Sequence, residues 1–262
     1  MNSRPPSLKA AYLCISGLFL AAATLESPAA TISLHPTADT TLQSAYPDYN
    51  FGDGTTFTAG GRRQGGSARA LLEFDIAGSL PAGAVINSAS LMLFVVRVPS
   101  GGPASTFSLN RVLDAWGEGN GSDMSGAIGG AQQATWNNRL GPGSPWTTAG
   151  GDFASTISAS KQISGFGSYV FGSTTTMVGD VQGWLDDPSS NFGWLLRSQS
   201  ENSAATIRRF GARNDGGSSP ILTIQYAIVP EPSIAALIFL SAALLWQKNA
   251  KLKQVIGDNS LS

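Results

Sequence analysis

Residues 88–98, which read SASLMLFVVRV, decide the fold class of this chain. Because side chains alternate along an extended strand, one face carries Leu91, Leu93, Val95 and Arg97. The opposite face carries Met92, Phe94 and Val96, so the run is apolar on both faces over most of its length. Such a run is typical of a strand inside a sheet. We therefore predict a central β-strand here.

Similar apolar and β-branched runs recur between clusters of glycine, proline and asparagine. The predicted strands span residues 70–75, 88–98, 106–113, 191–197, 205–210 and 221–226, with a short strand around 134–137. Short strands separated by turn residues are typical of a β-sandwich or barrel. We predict an all-β antiparallel sandwich over residues 31–226, interrupted by a long glycine-rich segment over 116–152.

One segment has a helical rather than a strand period. Between residues 176 and 185, the apolar positions are Met177, Val178, Val181, Trp184 and Leu185. This spacing places them on one face of a helix, which Asp186-Asp187-Pro188 would end. The sequence predicts one short helix.

Composition limits the function classes. Of 262 residues, 31 are glycine and 13% are charged, and the formal net charge is −1. A nucleic-acid partner is not indicated, because that would need a clustered basic excess. The chain has one histidine, His35, and one cysteine, Cys14, so a histidine-based triad or a histidine metal site has little support.

The N-terminus has the layout of a signal peptide. Arg4 and Lys9 precede an apolar segment over residues 10–23, and small residues follow. We predict a signal peptide over residues 1–29, cleaved after Ala29, with cleavage near Ala23 as the alternative. Cys14 lies inside the apolar segment. A lipoprotein would need a small residue immediately before this cysteine, and Leu13 occupies that position. The exported domain therefore contains no cysteine.

The C-terminus combines three signals. Pro230, Glu231 and Pro232 are followed by an apolar run over 234–246, and then by the basic residues Lys248, Lys251 and Lys253. Lysines behind an apolar run favour the cytoplasmic side of a membrane. A C-terminal amphipathic or buried helix is the alternative interpretation of the apolar run.

The layout over residues 229–253 resembles the PEP-CTERM sorting signal of Gram-negative bacteria that make exopolysaccharide. The resemblance implies a membrane-anchored precursor and recognition by an exosortase-type membrane peptidase. The protein would then reach the cell surface or the extracellular matrix. Residues 254–262 form a polar tail beyond the usual end of such signals.

A second resemblance covers almost the whole exported domain. It includes Ala38-Asp39-Thr40, Asn50-Phe51-Gly52, residues 69–75 and 86–91, Trp116-Gly117-Glu118-Gly119, residues 135–139 and 191–196, Phe210 with Arg213, and residues 220–224. In this order the segments resemble the DNRLRE domain, also classed as carbohydrate-binding module family 96. The resemblance implies a jelly-roll β-sandwich that binds polysaccharide without catalysis. The chain departs from the family over residues 211–219, where Gly211-Ala212-Arg213-Asn214-Asp215 replaces the usual Ser-Arg-Glu run.

The tryptophans are candidates for stacking on sugar rings. Trp184 and Trp194 lie on apolar patterns, which favours the core for both. Trp116 and Trp136 lie in loop motifs, where core and ligand-binding roles stay open. Trp146 follows Gly143-Ser144-Pro145 in a turn and is the best candidate for an exposed ring.

Arginines would bind acidic sugars, because a guanidinium pairs bidentately with a carboxylate. The dense pairs are Arg62-Arg63 and Arg208-Arg209, and we expect a solvated surface at both. Residues 208 and 209 would point to opposite faces of a strand, so at most one can join a given surface. Arg62 and Arg63 are kept as ligand-binding candidates.

Asp48, Asn50 and Asp53 surround a glycine and could supply oxygens to calcium, although the same residues are common in ordinary turns. No other cofactor is indicated. Glu73 and Glu118 are the first pair of carboxylates to consider for glycoside hydrolysis, with structural roles favoured.

The sequence leaves three candidate functions open. The first is a non-catalytic surface or matrix protein that binds polysaccharide. The second is a structural or adhesive matrix protein without a defined sugar ligand. The third, with the least support, is a polysaccharide lyase or hydrolase.

Overall fold

A computed structural model describes residues 29–228, 244–246 and 248 of the chain. Its strands are β1 (Ala30–Leu34), β2 (Ala38–Gln43), β3 (Tyr49–Asn50), β4 (Thr56–Gly61), β5 (Ser67–Glu73), β6 (Ala84–Arg97), β7 (Ser105–Val112), β8 (Ala127–Ile128), β9 (Phe153–Ile163), β10 (Gly167–Phe171), β11 (Trp194–Ser198), β12 (Arg208–Gly211) and β13 (Ile221–Ile228). One α-helix, α1 (Thr175–Asp186), and a 3-10 helix over Pro188–Ser190 complete the described elements.

The strands form two antiparallel layers, which we call sheet A and sheet B. Sheet A contains β1, β13, β6, β10, β12 and β4, and sheet B contains β2, β5, β11, β7 and β9. The end of β4 also pairs with β5, which joins the two layers at one edge. Buried side chains from both layers form the main core. The predicted all-β antiparallel sandwich is confirmed.

The strand predicted to be central is β6. It pairs with β13, β10 and β12, and its inward residues Leu91 and Leu93 have no solvent exposure. The two apolar faces seen in the sequence have a direct explanation, because Met92, Phe94 and Val96 are only partly exposed on the other side.

The first and last strands of the sandwich lie side by side, so the chain enters and leaves the domain at the same end. Strand β1 pairs with β13 in antiparallel register, so that Ala30 is opposite Tyr226. Strand β6 begins beside the end of β13, with Ala84 opposite Ile228, and it runs away from there for 14 residues to Arg97. At about 3.3 Å per residue, Arg97 lies roughly 40 Å along the strand from the end where both termini emerge.

The predicted helix is confirmed as α1. The Thr174 Oγ1 atom accepts a hydrogen bond from the Met177 amide (3.0 Å), which satisfies a free N–H of the first turn. Met177, Val181, Trp184 and Leu185 are the buried residues of the helix. The helix ends before Pro188, which cannot continue it.

The glycine-rich segment 113–152 lies across the outer face of sheet B. Leu42, Leu71 and Leu195 point outward from sheet B, and they form a second core with Val112, Trp116, Ala134 and Trp146. The strand predicted around 134–137 is wrong, because these residues form a loop with one isolated bridge between Asn138 and Pro145. Their backbone is held by contacts within the segment, such as the Thr135 amide to the Asn138 carbonyl (2.7 Å).

The sequence analysis missed several strands. Strand β9 has the sequence FASTISASKQI, and six of its eleven residues are exposed because it lies at the edge of sheet B. Its apolar content is therefore too low to distinguish it from a loop. Strands β1, β2, β4 and β10 were missed for a similar reason, since each is short and rich in small or polar residues.

Among the residues that the structure describes, none belongs to a helix both long and apolar enough to cross a bilayer. Residues 1–28, Pro230, Glu231, Pro232, Lys251, Lys253 and residues 254–262 lie outside the described part. Lys248 is described as exposed and helical. The signal peptide, the sorting signal and the domain boundaries therefore stay predictions.

Candidate functional site

A row of polar side chains crosses the outer face of sheet A. Thr58 on β4 is opposite Arg209 on β12, and Arg209 is opposite Arg97 on β6. Their strand neighbours Phe57 and Phe210 point inward and stack at a centroid distance of 5.4 Å. Because side chains alternate, Thr58 and Arg209 must point outward, where they line a depression of about 260 Å³.

This row continues into a second depression of about 290 Å³, which shares Thr58, Ile207 and Arg209 with the first. Tyr46 lies at its far end and is 47% exposed. The Arg62 guanidinium lies 5.1 Å from the centre of the Tyr46 ring. We call the continuous surface formed by Tyr46, Thr58, Arg62, Arg97, Asp123 and Arg209 the arginine groove.

The arginine groove is positively charged. Within the described part of the chain, Arg62, Arg97 and Arg209 form no ion pair with a carboxylate, although Asp123 also lines the surface. Arg62 Nη1 donates to Gln43 Oε1 (2.6 Å), and Arg209 Nη1 lies 2.9 Å from Met124 Sδ. Three guanidinium groups beside one aromatic ring suit a ligand that carries carboxylates and a flat apolar face.

A β-bulge places Arg97 in this groove. Phe210 is opposite Val95, whereas the preceding residue Arg209 is opposite Arg97, so β6 has one extra residue at Val96. The alternation predicted Arg97 on the same face as the inward residues Leu91, Leu93 and Val95. The extra residue reverses the face, and Arg97 is exposed. Arg97 was missed as a site residue because a bulge leaves no mark in the alternation.

The two arginine pairs differ in their solvent exposure. Arg62 is half-buried in the groove, and Arg63 is exposed beside it and donates to the Ser100 carbonyl. The prediction that 208 and 209 point to opposite faces is confirmed. The solvated surface expected for Arg208 is wrong, because this side chain has no solvent exposure.

Arg208 is held by main-chain carbonyl groups. Its Nη1 atom donates to Ile207 (2.9 Å) and Thr206 (3.1 Å), and its Nη2 atom donates to Pro103 (2.6 Å) and Ser164 (3.3 Å). Burial lowers the pKa of the guanidinium from its usual value. These carbonyl groups replace water around the charge, and they tie three separate loops to β12.

The predicted exposure of the Trp146 ring is wrong. The sequence predicted an exposed ring, but Trp146 is 4% exposed and belongs to the second core. Its Nε1 atom donates to the Thr135 carbonyl (2.9 Å). The turn that carries Trp146 is folded down onto sheet B, so a turn in the sequence is not a surface position here.

The other tryptophans lie in or beside the cores. Trp184 and Trp194 are 1% and 0% exposed, as predicted, and their rings lie 4.6 Å apart. Trp116 is 8% exposed and donates to the Phe192 carbonyl (2.9 Å). Trp136 is half-buried, with the Arg69 guanidinium 5.0 Å from its ring. None of these four lines the arginine groove.

The suggested calcium loop is arranged for a structural role. Asn50 has no solvent exposure, and its Oδ1 atom already accepts from the amides of Gly121 (2.8 Å) and Gly52 (3.2 Å). Its Nδ2 atom donates to the carbonyls of Glu118 and Ala134. Asp48 accepts from Asn137 (2.8 Å), and Asp53 forms a backbone bridge with Ser122. Asn50 thus has no lone pair directed at a cation.

A buried carboxylate cluster joins β2 to two loops. Glu118 accepts two hydrogen bonds from the Arg213 guanidinium (2.5 and 2.8 Å) and one from the Asp39 amide (2.9 Å). Asp39 is 3% exposed and accepts from the Arg213 amide (2.6 Å). Burial is the main reason why the pKa of Asp39 rises to about 7, and the charge of Glu118 adds to it.

Glu73 and Glu118, the carboxylates considered for hydrolysis, lie near each other at this cluster. Burial and the charges of Asp75 and Glu118 raise the pKa of Glu73. Both oxygens of Glu118 are already bonded to Arg213, which favours the structural role. Among the residues described, no cluster of three histidine, cysteine or acidic residues is arranged to hold a metal ion.

Most residues of the groove and of the second core lie in one stretch of the chain. Residues 30–155 match the model of carbohydrate-binding module family 96. The predicted resemblance to carbohydrate-binding module family 96 is confirmed over this range. Tyr46, Thr58, Arg62 and Arg97 lie inside it, and Arg209 lies beyond it. No curated protein matches the chain.

Proposed function

We propose that this chain is an exported, non-catalytic protein whose β-sandwich binds an acidic polysaccharide in the arginine groove. The observation that carries the proposal is the set of three guanidinium groups, Arg62, Arg97 and Arg209, that face one groove without a carboxylate partner in the described residues. The match of residues 30–155 to a carbohydrate-binding module family supports the ligand class.

The pairing of Arg97 with Arg209 favours an anionic ligand. The two residues are direct cross-strand neighbours, and like charges in this position destabilise a sheet. A carboxylate placed between them would offset the repulsion and accept hydrogen bonds from both guanidinium groups. A neutral sugar would leave the repulsion in place.

Tyr46 supplies the second part of the recognition. Its ring is 47% exposed at the end of the groove, and Arg62 is held against it by the hydrogen bond to Gln43. An exposed aromatic ring contributes apolar contact area for the C–H face of a sugar. The ring and the guanidinium groups together select a chain of acidic sugars over an isolated anion.

The same proposal includes the sorting of the protein. The signal peptide would direct export, and the segment 229–253 would hold the precursor in the membrane until an exosortase-type peptidase removes it. The pairing of Ala30 with Tyr226 supports this arrangement, because both segments then leave the sandwich at one end. The arginine groove lies toward the other end of β6, where it would face away from the membrane.

Affinity electrophoresis of the purified protein in gels that contain polygalacturonate tests the binding. We expect wild-type protein to be retarded and the retardation to weaken with salt, because exposed charges are screened. Arg97→Gln and Arg209→Gln should each reduce the affinity by about ten- to a hundredfold, since a hydrogen bond to a charged group contributes roughly 1.5–3 kcal/mol. The matched control is Arg139→Gln, on the loop over sheet B.

Thermal unfolding separates a binding role from a structural one. Arg97→Gln should leave the melting temperature unchanged or raise it, because the substitution removes a like-charge contact.

Wild-type protein that migrates freely through polygalacturonate would refute the proposal. An equal loss of affinity in Arg139→Gln would refute the assignment to the groove.

A further inference from the structure

A second concave surface lies on the outer face of sheet B, on the opposite side of the sandwich from the arginine groove. It has a volume of about 470 Å³ and is lined by β7, β9 and the end of β11. Phe107 and Leu109 of β7 point into the main core, so Ser108 between them and Asn110 after them point outward. We call the surface formed by Ser108, Asn110, Ser155, Ile157, Arg197 and Gln199 the polar cleft.

A β-bulge shapes the polar cleft. Asn110 is opposite Ile157 and Val112 is opposite Phe153, so two steps along β7 correspond to four steps along β9. The Asn110 Nδ2 atom fills the opened ladder by donating to the carbonyls of Ala154 (3.0 Å) and Thr156 (3.3 Å). Ser108 donates to Asn110 Oδ1 (3.0 Å). Because these bonds are internal, the floor of the cleft is fixed before any ligand arrives.

The rim of the cleft presents hydrogen-bonding groups that are free for a ligand. Ser155 and Gln199 are exposed, and within the described residues their side chains form no hydrogen bond. The Arg197 side chain is 29% exposed beside them, so part of its guanidinium is open to the cleft. Ile157 is 42% exposed between these polar groups and supplies an apolar surface.

The charge of the polar cleft is compensated. Arg197 Nη2 lies 3.1 Å from Glu201 Oε1, and its guanidinium lies 5.4 Å from the centre of the Phe153 ring. Glu201 in turn pairs with Arg69 at 2.8 Å. The guanidinium therefore acts here as an oriented hydrogen-bond donor more than as a free cation, in contrast to the three arginines on sheet A.

We propose that the polar cleft is a second carbohydrate site, which binds a neutral oligosaccharide. Hydroxyl groups of a neutral sugar can donate to Gln199 and Ser155 and can accept from the partly exposed Arg197 guanidinium. Its C–H face can cover Ile157. The volume lies within the roughly 300–1,000 Å³ that small-molecule sites occupy. This proposal does not depend on the arginine groove binding an acidic chain.

Two sites on opposite sheets would have a consequence for the whole protein. A single sandwich could hold an acidic chain on sheet A and a neutral chain on sheet B, because neither site shares a residue with the other. The protein would then crosslink two different polysaccharides.

Isothermal titration of the purified protein with cellohexaose, mannohexaose and xylohexaose tests the polar cleft. We expect at least one of these neutral hexasaccharides to bind wild-type protein. The double variant Ser155→Ala/Gln199→Ala should weaken that binding by at least about fivefold, since it removes two uncharged hydrogen-bonding groups. Gln225→Ala, an exposed glutamine on β13 of sheet A, is the matched control and should bind as wild type does.

Each result of the titration either supports or contradicts a neutral-sugar site in the polar cleft. Wild-type protein that binds none of the three sugars would overturn the proposal. Equal binding by the double variant and wild type would also overturn it, as would a loss of neutral binding in Arg97→Gln. Loss of hexasaccharide binding in the double variant, with polygalacturonate binding retained, would support the polar cleft as a separate site. Polygalacturonate binding that fails alone would count against the arginine groove only.

Discussion

The carboxyl group of Asp39 lies where three segments meet. Asp39 is on β2, Glu118 is in the segment over sheet B, and Arg213 follows β12. The Arg213 guanidinium satisfies Glu118, and only its main-chain amide reaches Asp39. Asp39 is therefore left with burial and a neighbouring negative charge, which is why its pKa rises to about 7.

This pKa predicts a fall in stability as the pH rises. Asp39 binds its proton more tightly in the folded state, with a pKa of about 7, than in the unfolded chain, whose value is 3.8. The free energy of unfolding should fall between about pH 4 and pH 7, by an amount on the order of 4 kcal/mol from this residue. The loss should be complete above pH 7.

Asp39→Asn tests this prediction, because asparagine can still accept the hydrogen bond from the Arg213 amide. Urea unfolding at pH 5, 6, 7 and 8 should show a smaller decline for the variant, and at pH 8 the variant should be more stable than wild type. Glu73 has a raised pKa in both proteins, so the difference between the two curves is the quantity to compare. Parallel curves would contradict the prediction.

At the scale of elements, the segment 113–152 determines which faces of sheet B are available. It covers Leu42, Leu71 and Leu195, and it leaves the polar cleft open at the β7 and β9 end. Trp146 fastens this segment to the sheet through its buried ring, and its hydrogen bond to the Thr135 carbonyl holds the ring in place within the segment. The segment behaves as a third layer and not as a free loop.

Trp146→Ala should therefore destabilise the protein by about 3–5 kcal/mol, because it leaves a cavity in the second core. Urea unfolding measures the change. Trp146→Phe keeps most of the ring and should cost less than Trp146→Ala. Polygalacturonate binding by folded Trp146→Ala should be close to that of wild type, since the residue does not line the arginine groove. An alanine variant as stable as wild type would contradict the burial of this ring.

At the scale of the whole molecule, the paired ends of the sandwich predict how the protein is released. The main chain from Ala30 to Ile228 forms both sheets, and every strand in the part of the chain that the structure describes lies within this range. A chain that ends at Ile228 should fold, and it should appear in the soluble fraction after export. Cell fractionation and immunoblotting would measure its distribution against the full-length chain. If the shortened chain stays integral to the membrane, the proposed anchor over 229–253 is wrong.

The features that depend on local period could be predicted from the order of the residues. The two apolar faces of residues 88–98 identified the central strand, and one apolar stripe identified α1. The segments that resemble carbohydrate-binding module family 96 identified a match that extends over residues 30–155. Strands with polar and small residues, such as β9, gave no comparable signal, because an edge strand needs little apolar surface.

The residues that form the binding surfaces could not be predicted in this way, because they come together only in the folded chain. Arg62 was a candidate from the sequence, but its neighbours Arg97 and Arg209 come from strands distant in the chain, and a bulge at Val96 reversed the face of Arg97. Trp146 is buried, contrary to the prediction, because its turn folds onto sheet B. Arg208 is buried because loop carbonyl groups surround its guanidinium. Alternation reports the two faces of a strand, but contacts between distant segments determine which face stays open to a ligand.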